Sequence, residues 1–146
     1  MRLVVVAADF NREVTDIMVE RALARAKERG IRVTSVVRVP GTFEIPWAVS
    51  RLLDRADVDG AVAIGAVIKG ETLHDEALMA AVPKALIEIG LRTGKPVGLG
   101  ITGPGMTWEQ AEARVKNAGR AVDAAVRAAE TLRGLRGVRP GKKTRP

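Results

Sequence analysis

Four short runs rich in valine and isoleucine alternate along the chain with longer segments in which apolar residues recur every three or four positions. The runs cover residues 3–8, 31–39, 60–67 and 97–101. Apolar runs of this length, bounded by turn residues, are typical of buried parallel strands. The pattern therefore predicts four strands, each followed by a helical segment.

The first two helical segments have clear boundaries. Apolar residues keep helical spacing over residues 14–26 until Gly30 stops the helix, and Asn11 is placed to cap its start. A loop punctuated by Gly41 and Pro46 then leads into a short helix near residues 47–53. Both helices are predicted to cover the sheet.

The third helix is predicted to begin near Thr72 and to run to about Thr93. Thr72 and Asp75 have the spacing of a capping box. Pro83 lies inside this segment. Proline lacks an amide hydrogen and clashes with the preceding turn, so a kink or a break is expected at Val82.

The last helix opens with a second capping box, Thr107 and Gln110, and its apolar stripe continues to Ala129. Strands and helices thus alternate with short connections, which implies right-handed crossovers and helices on both faces of a parallel sheet. We predict an α/β fold: a flavodoxin-like, three-layer αβα sandwich with a four-stranded parallel sheet. Residues 1–132 are expected to form its single domain.

Charge and composition narrow the class of protein. The chain has 146 residues, no cysteine and a net charge of +7, and residues 133–146 supply six of these charges. We interpret this Gly/Pro-containing basic segment as a flexible tail, with a nucleic-acid or acidic-surface role as the alternative. The absence of cysteine excludes disulfides, zinc–thiolate sites and cysteine nucleophiles. Neither a membrane span nor a signal peptide is evident, so a cytoplasmic location is expected.

The carboxyl ends of the predicted strands lead into four loops, at residues 9–12, 40–44, 68–74 and 102–106. Ligands of open α/β sheets bind outside these ends. Each loop contains residue types that a core does not need, although glycine and proline in them could simply form turns. Because the four loops meet at one edge of the sheet, a site is predicted there.

The third loop is the most informative. Gly70 allows a tight turn at a helix start, where unpaired backbone N–H groups bind anions such as phosphate, and Thr72 can add a hydroxyl. The alternative is a helix capped by its own Asp75 and Glu76. His74, the single histidine, is either structural or a proton shuttle that titrates near neutral pH. One histidine and no cysteine make a metal site improbable.

Several segments together resemble the 6,7-dimethyl-8-ribityllumazine synthase family, in particular its archaeal branch. The resemblance covers residues 3–132 in order. It is carried by the Phe10-Asn11 pair with Thr15, Val-Pro-Gly-Thr-Phe-Glu-Ile-Pro at 39–46, Gly-Ala-Val-Ile-Lys-Gly-Glu-Thr-Leu-His at 65–74, and the segments 100–107 and 110–115.

The resemblance implies a step of riboflavin biosynthesis. A ribitylamino-pyrimidinedione amine condenses with 3,4-dihydroxy-2-butanone 4-phosphate, releasing phosphate and water, without a metal or organic cofactor. It implies a homo-pentamer, with further assembly left open, and small-molecule substrates rather than nucleic acid or membrane. The alternative is a non-catalytic, flavodoxin-like ribityl- or flavin-binding module or a shell protein.

The resemblance also assigns roles to individual residues. His74 is the implied proton shuttle, and the implied phosphate site is Gly70, Glu71, Thr72 and Arg114. The implied binding residues for the pyrimidine substrate are Phe10, which stacks on the ring, together with Asn11, Thr42, Phe43, Glu44, Val67, Ile68, Leu99 and Arg120.

Structural roles remain open for some of these residues. Phe10 and Phe43 could be core residues, Glu44 could be a helix-start acid, and Arg114 could be a surface residue bordering an apolar stripe. The chain also departs from the family pattern. The segment 116–120 is one residue shorter than in many members, Leu99 stands where many have an aromatic residue, and an N-terminal extension is missing.

Overall fold

The computed structural model describes residues 1–68 and 75–136, apart from the side chains of residues 104–106. The elements in chain order are β1 (Arg2–Ala8), α1 (Arg12–Glu28), β2 (Arg32–Val39), a 3-10 turn (Thr42–Glu44), α2 (Ile45–Leu53), β3 (Gly60–Ile68), α3 (Asp75–Thr93), β4 (Val97–Met106), α4 (Trp108–Ala113) and α5 (Asn117–Leu135). The predicted alternation of strands and helices is confirmed.

Within the described residues, the four strands form one parallel sheet in the order β2-β1-β3-β4. The chain therefore moves from β1 to one edge and then returns to place β3 on the other side of β1. In doubly wound sheets the crevice at such a reversal, outside the carboxyl ends of the strands, is where ligands bind. Here the reversal lies between β1 and β3.

Helices cover both faces of the sheet and divide the core into two halves. Leu3, Val5 and Ala7 of β1 belong to the half that includes buried residues of α1, α4 and α5. Val4 and Val6 belong to the half that includes buried residues of α2 and α3. All nine residues of β3 are buried, as expected for a strand covered on both faces. The predicted three-layer α/β sandwich is confirmed.

Glycine allows α5 to lie very close to β4. A Cβ atom at Gly98 would lie 2.1 Å from the carbonyl oxygen of Ala121, and a Cβ at Gly100 would lie 2.9 Å from that of Ala63. Any side chain at Gly98 would therefore overlap the backbone of α5. The small residues of this strand set the spacing between helix and sheet.

The predicted cap of α1 is wrong. Asn11 makes no side-chain capping hydrogen bond and has a left-handed backbone conformation, with φ 62°. Its side-chain amide instead donates to the carbonyl oxygen of Ala66 in β3, at 2.7 Å. The side-chain amide of Asn11 is used in this hydrogen bond to β3, so the side chain points away from the start of α1.

Of the two outcomes expected at Pro83, a kink or a break, the break is wrong. The helix runs without interruption from Asp75 to Thr93 and includes Pro83. Val82 and Leu86, on either side of the proline, are buried in the same half of the core. Their packing holds the two turns in one helix despite the missing backbone donor. The predicted start at Thr72 lies outside the described residues.

The final predicted helix is two helices. The capping box of Thr107 and Gln110 is confirmed at the start of α4. Backbone hydrogen bonds between residues three apart then tighten the chain over residues 114–119, and α5 follows. This turn allows both Ala111 and Ala118 to be fully buried. Helix α5 continues to Leu135, three residues beyond the predicted boundary at 132.

Candidate functional site

The loop after β1 is joined to the end of β2 by backbone hydrogen bonds. The amide of Asp9 donates to the carbonyl of Val39 at 2.7 Å, and the amide of Phe10 donates to that of Pro40 at 3.1 Å. The Phe10 side chain is 53% exposed, so a core role for it is wrong. Its ring is available for stacking at the carboxyl edge of the sheet.

The same loop is held to β3 through the side chain of Asn11. The bond from its amide to the carbonyl of Ala66 crosses the point where the strand order reverses. The loop that carries Phe10 is thus attached to both neighbouring strands. It forms one wall of the crevice in which ligands of such sheets bind.

The 3-10 turn after β2 presents its three residues in different directions. Phe43 is 67% exposed, so the alternative core role is wrong for it as well. Thr42 is buried, and a Cβ atom at Gly65 of β3 would lie only 2.9 Å from its hydroxyl oxygen. The half-buried Glu44 places its carboxylate near Gly41.

The carboxyl end of β3 completes this region. The side chains of Val67 and Ile68 are buried in opposite halves of the core, so their backbone is what faces the crevice. Gly103 of β4 has φ 125°, and a Cβ there would lie 2.6 Å from the carbonyl oxygen of Val67. Glycine thereby lets β4 close onto the end of β3. The predicted phosphate and proton-transfer residues Gly70, Glu71, Thr72 and His74 lie outside the described residues.

Three of the predicted site residues line a groove along the edge strand β4. Leu99 of β4, Arg114 at the end of α4 and Arg120 of α5 share a cavity of about 610 Å³ with Thr102, Gly103 and Asn117. We call it the arginine groove. None of its described lining residues is acidic, so its two guanidinium groups favour an anionic ligand. Sequence reasoning missed Asn117, although its spacing of three from both arginines would have placed it on their side of the chain.

The predicted site residues therefore form two groups within one chain. Phe10, Asn11 and the turn of residues 42–44 lie at the carboxyl ends of β1 and β2, and none of them lines the arginine groove. The groove follows β4, an edge strand of the sheet. A single chain thus presents an aromatic, polar wall and a separate basic wall.

The ion pairs that shift side-chain pKa values lie in the scaffold, away from both walls. A side-chain hydrogen bond from Arg25 lowers the pKa of Asp123, and Arg29 adds a second bond, which links α1 to α5. A hydrogen bond from Arg2 likewise lowers the pKa of Asp59. Among the described residues, no group of three histidine, cysteine or acidic side chains could hold a metal ion.

The fold and the two walls define a three-layer α/β sandwich protein with a candidate site for an anionic small molecule. Comparison with known proteins then gives the family. The 6,7-dimethyl-8-ribityllumazine synthase family matches residues 1–136. The chain belongs to this family and is accordingly a transferase of riboflavin biosynthesis.

Similar archaeal proteins support the assignment over most of the chain. The 6,7-dimethyl-8-ribityllumazine synthase of Methanopyrus kandleri is 47% identical, covering 94% of this chain and 97% of that protein. The one from Staphylothermus marinus is 49% identical, covering 84% and 83%, and the one from Metallosphaera sedula is 46% identical, covering 92% and 90%. In the part of the chain that the structure describes, no helix is long and apolar enough to cross a membrane.

Proposed function

We propose that the chain condenses 5-amino-6-(D-ribitylamino)uracil with 3,4-dihydroxy-2-butanone 4-phosphate, giving 6,7-dimethyl-8-ribityllumazine and releasing phosphate and water. Family membership over residues 1–136 carries this proposal. The two walls support it, because one is suited to a flat ring with a polar chain and the other to a phosphorylated partner. The reaction is proposed to take place in the cytoplasm without a metal or organic cofactor.

The pyrimidine amine is proposed to bind at the wall formed by the loops after β1 and β2. The exposed ring of Phe10 stacks on the pyrimidine, and Phe43 is also exposed, on the 3-10 turn after β2. The carboxylate of Glu44 accepts hydrogen bonds from the ribityl hydroxyls. The backbone of Thr42 also forms hydrogen bonds with them. Asn11 belongs to the same wall, and the backbone of Val67 and Ile68 closes the pocket.

The phosphate is proposed to bind to the loop of Gly70, Glu71 and Thr72 and to an arginine. The first backbone N–H groups of a helix bind anions, and α3 follows this loop directly. Arg114 adds a charge-assisted contact, since a guanidinium binds phosphate through two parallel N–H bonds. Leu99 and Arg120, which share its groove, contact the pyrimidine side of the bound pair.

His74 is proposed to move the protons of the reaction. The substrate amine attacks the ketone carbon and water leaves, forming a Schiff base. A proton is then removed and phosphate departs with its electron pair. The ribitylamino nitrogen attacks the remaining carbonyl carbon, and a second water leaves as the ring closes. An imidazole near neutral pH can take and return these protons. Amines and ketones condense unaided, so positioning contributes much of the rate.

We infer that each complete site lies between two chains of a homo-pentamer, because none of Phe10, Asn11 and the turn of residues 42–44 lines the arginine groove of the same chain. Two unlike apolar surfaces fit this arrangement. One consists of Ile87 and Leu91 of α3 with Leu99 and Leu132, and the other of Phe43 and Trp47. Contacts between unlike surfaces form closed rings when the rotation closes.

A mixed-subunit experiment tests both the site and its sharing. His74→Ala and Arg114→Ala chains are co-expressed in equal amounts, and lumazine formation is measured on purified particles that contain both. If His74 comes from one chain and Arg114 from its neighbour, about one quarter of the sites are intact, because each intact partner occurs with a probability of about one half.

In the matched control, the exposed Arg127 of α5 is changed to alanine and Arg114 is kept. Mixing His74→Ala with Arg127→Ala chains leaves about half of the sites intact, since the second change removes nothing from the site. Activity of the His74→Ala and Arg114→Ala mixture no higher than the mean of its two parents would refute the shared site. An inactive wild-type protein that still binds the pyrimidine amine would refute the catalytic function.

A further inference from the structure

The Asn11 side chain occupies an unusual place for a residue of a binding wall. Among the described residues it is the one non-glycine residue with a positive φ. Asparagine tolerates the left-handed conformation better than most residues. The conformation directs its amide across the sheet reversal to the carbonyl of Ala66, at 2.7 Å, rather than to the start of α1.

The loop has different attachments on its two sides. Toward β2 it is held by main-chain bonds, from Asp9 to Val39 and from Phe10 to Pro40, which do not depend on side-chain identity. Toward β3 the bond comes from the Asn11 side chain. Within the residues that the structure describes, the Phe10 loop is therefore tied to the end of β3 by one replaceable side-chain amide.

The attachment point on β3 adjoins the rest of the proposed site. Ala66 lies between Gly65, which contacts Thr42 closely, and Val67, onto which Gly103 packs. In addition, the Thr102 hydroxyl donates to the carbonyl of Gly65 at 3.4 Å. The loops after β1 and β2 and the last part of β4 thus all contact three consecutive residues of β3.

We propose that Asn11 is a positioning residue that fixes the Phe10 ring relative to the end of β3, rather than a direct ligand of the substrate. The proposal rests on the proposed function, because the ring that it positions is the one that stacks on the pyrimidine amine. The bond from Asn11 to Ala66 sets the width of the crevice before substrate arrives. Losing it weakens binding of the amine and leaves the phosphate site and the chemical step unchanged.

Two substitutions remove the bond in different ways. Asn11→Asp keeps the shape and tolerance of a positive φ, but a carboxylate oxygen then faces the carbonyl oxygen of Ala66. Asn11→Gly keeps the backbone conformation and simply removes the donor. Arg12→Gln is the control, because it makes the same change in charge on the adjacent residue. It removes only exposed ion pairs to Asp9 and Asp16, which contribute little.

The measurements separate positioning from direct binding. Amide hydrogen exchange of residues 9–12 is followed in the free protein, together with steady-state kinetics for each substrate. We expect exchange in this segment to become roughly 3–10-fold faster in both Asn11 variants, the factor that corresponds to one lost hydrogen bond. The KM for the amine should rise by a similar factor, more in Asn11→Asp, with kcat and the KM for the phosphate substrate within about twofold of wild type.

Each alternative has its own result. A raised KM for the amine with unchanged exchange in the free protein would identify Asn11 as a direct ligand and overturn the proposal. Faster exchange with an unchanged KM would show that the bond is merely structural and overturn it equally. Arg12→Gln should match wild type in both measurements. If wild type itself forms no lumazine, the proposed function fails, whereas the exchange data and the dissociation constant of the amine still decide the role of Asn11.

Discussion

Alanine at Gly65 tests whether β3 sets the position of the turn that carries Phe43 and Glu44. A Cβ atom at Gly65 would lie 2.9 Å from the hydroxyl oxygen of Thr42, about half an ångström inside ordinary van der Waals contact. Its next neighbours, Ile45 Cδ1 at 3.6 Å and Ile101 Cγ1 at 3.7 Å, are at normal distances. The added methyl group therefore meets one obstacle, and that obstacle is the turn.

The short distance between the added Cβ atom and the Thr42 hydroxyl gives the expected loss of stability. Adding a methyl group to a packed site costs about 1–3 kcal/mol, and we expect about 1–2 kcal/mol here, because Thr42 lies in a turn that can shift. Thr42→Ala removes the hydroxyl and opens the space. In the double variant Gly65→Ala with Thr42→Ala, the remaining contacts are ordinary ones, so the combined loss should be at least about 1 kcal/mol smaller than the sum of the single losses.

The assay is a double-mutant cycle of urea unfolding at matched protomer concentration, because assembly makes apparent stability depend on concentration. The KM for the amine is measured in parallel and should rise in Gly65→Ala and recover in part in the double variant. Gly119→Ala in α5 is the control, since its Cβ would meet Arg25 at 3.6 Å and glycine in a helix costs stability. Stability losses that add within about 0.5 kcal/mol would refute the close-contact argument.

Three further changes have distinct expected outcomes. Arg114→Ala should remove a contact worth about 1.5–3 kcal/mol and raise the KM for the phosphorylated substrate far more than for the amine, and equal effects in initial-rate kinetics would contradict this. Gly98→Ala should cost about 3 kcal/mol or more in chemical unfolding, because its Cβ would overlap the backbone of α5, and a near-neutral result would show that the helix moves freely. Because the pKa of Asp123 is lowered, its ion pairs with Arg25 and Arg29 stabilise the fold above about pH 4 and are lost as the pH falls through that lowered value. Asp123→Asn should therefore flatten the acid side of the Tm–pH profile. An unchanged slope would show that these ion pairs do not contribute to stability.

The fold was largely predictable because its two central strands, β1 and β3, are buried on both faces. The apolar run at residues 60–67 became β3 within one residue, since nothing but a buried strand suits such a run. The end of β4 could not be foreseen. Gly-Pro-Gly at residues 103–105 reads as a turn, yet the strand continues to Met106 with a register shift opposite β3. That continuation depends on the close packing of Gly103 on Val67, which no local pattern shows.

The sequence motifs proposed members of the site but did not show the contacts that their side chains make. The motifs named Asn11 and Thr42 as binding residues, and the structure shows that both use their side chains within the protein. Asn11 bonds to a carbonyl 55 residues away, and Thr42 is buried against β3. Sequence spacing carries no information on such distant pairs. Leu99, Arg114 and Arg120, to which the resemblance assigned different roles, line one groove together with Asn117.

The strand order also has a consequence for synthesis on the ribosome. Strand β1 lies between β2 and β3, so the first pair that can form, β1 with β2, leaves one edge of β1 open. That edge is a row of unsatisfied backbone groups beside a valine-rich strand, and it stays open until Gly60–Ile68 has emerged. The nascent chain passes through a stage in which this apolar strand can pair with another chain. Slowing translation after β2 has emerged and while residues 60–68 are still inside the ribosome should therefore lower the soluble yield, whereas slowing it after they have emerged should have little effect.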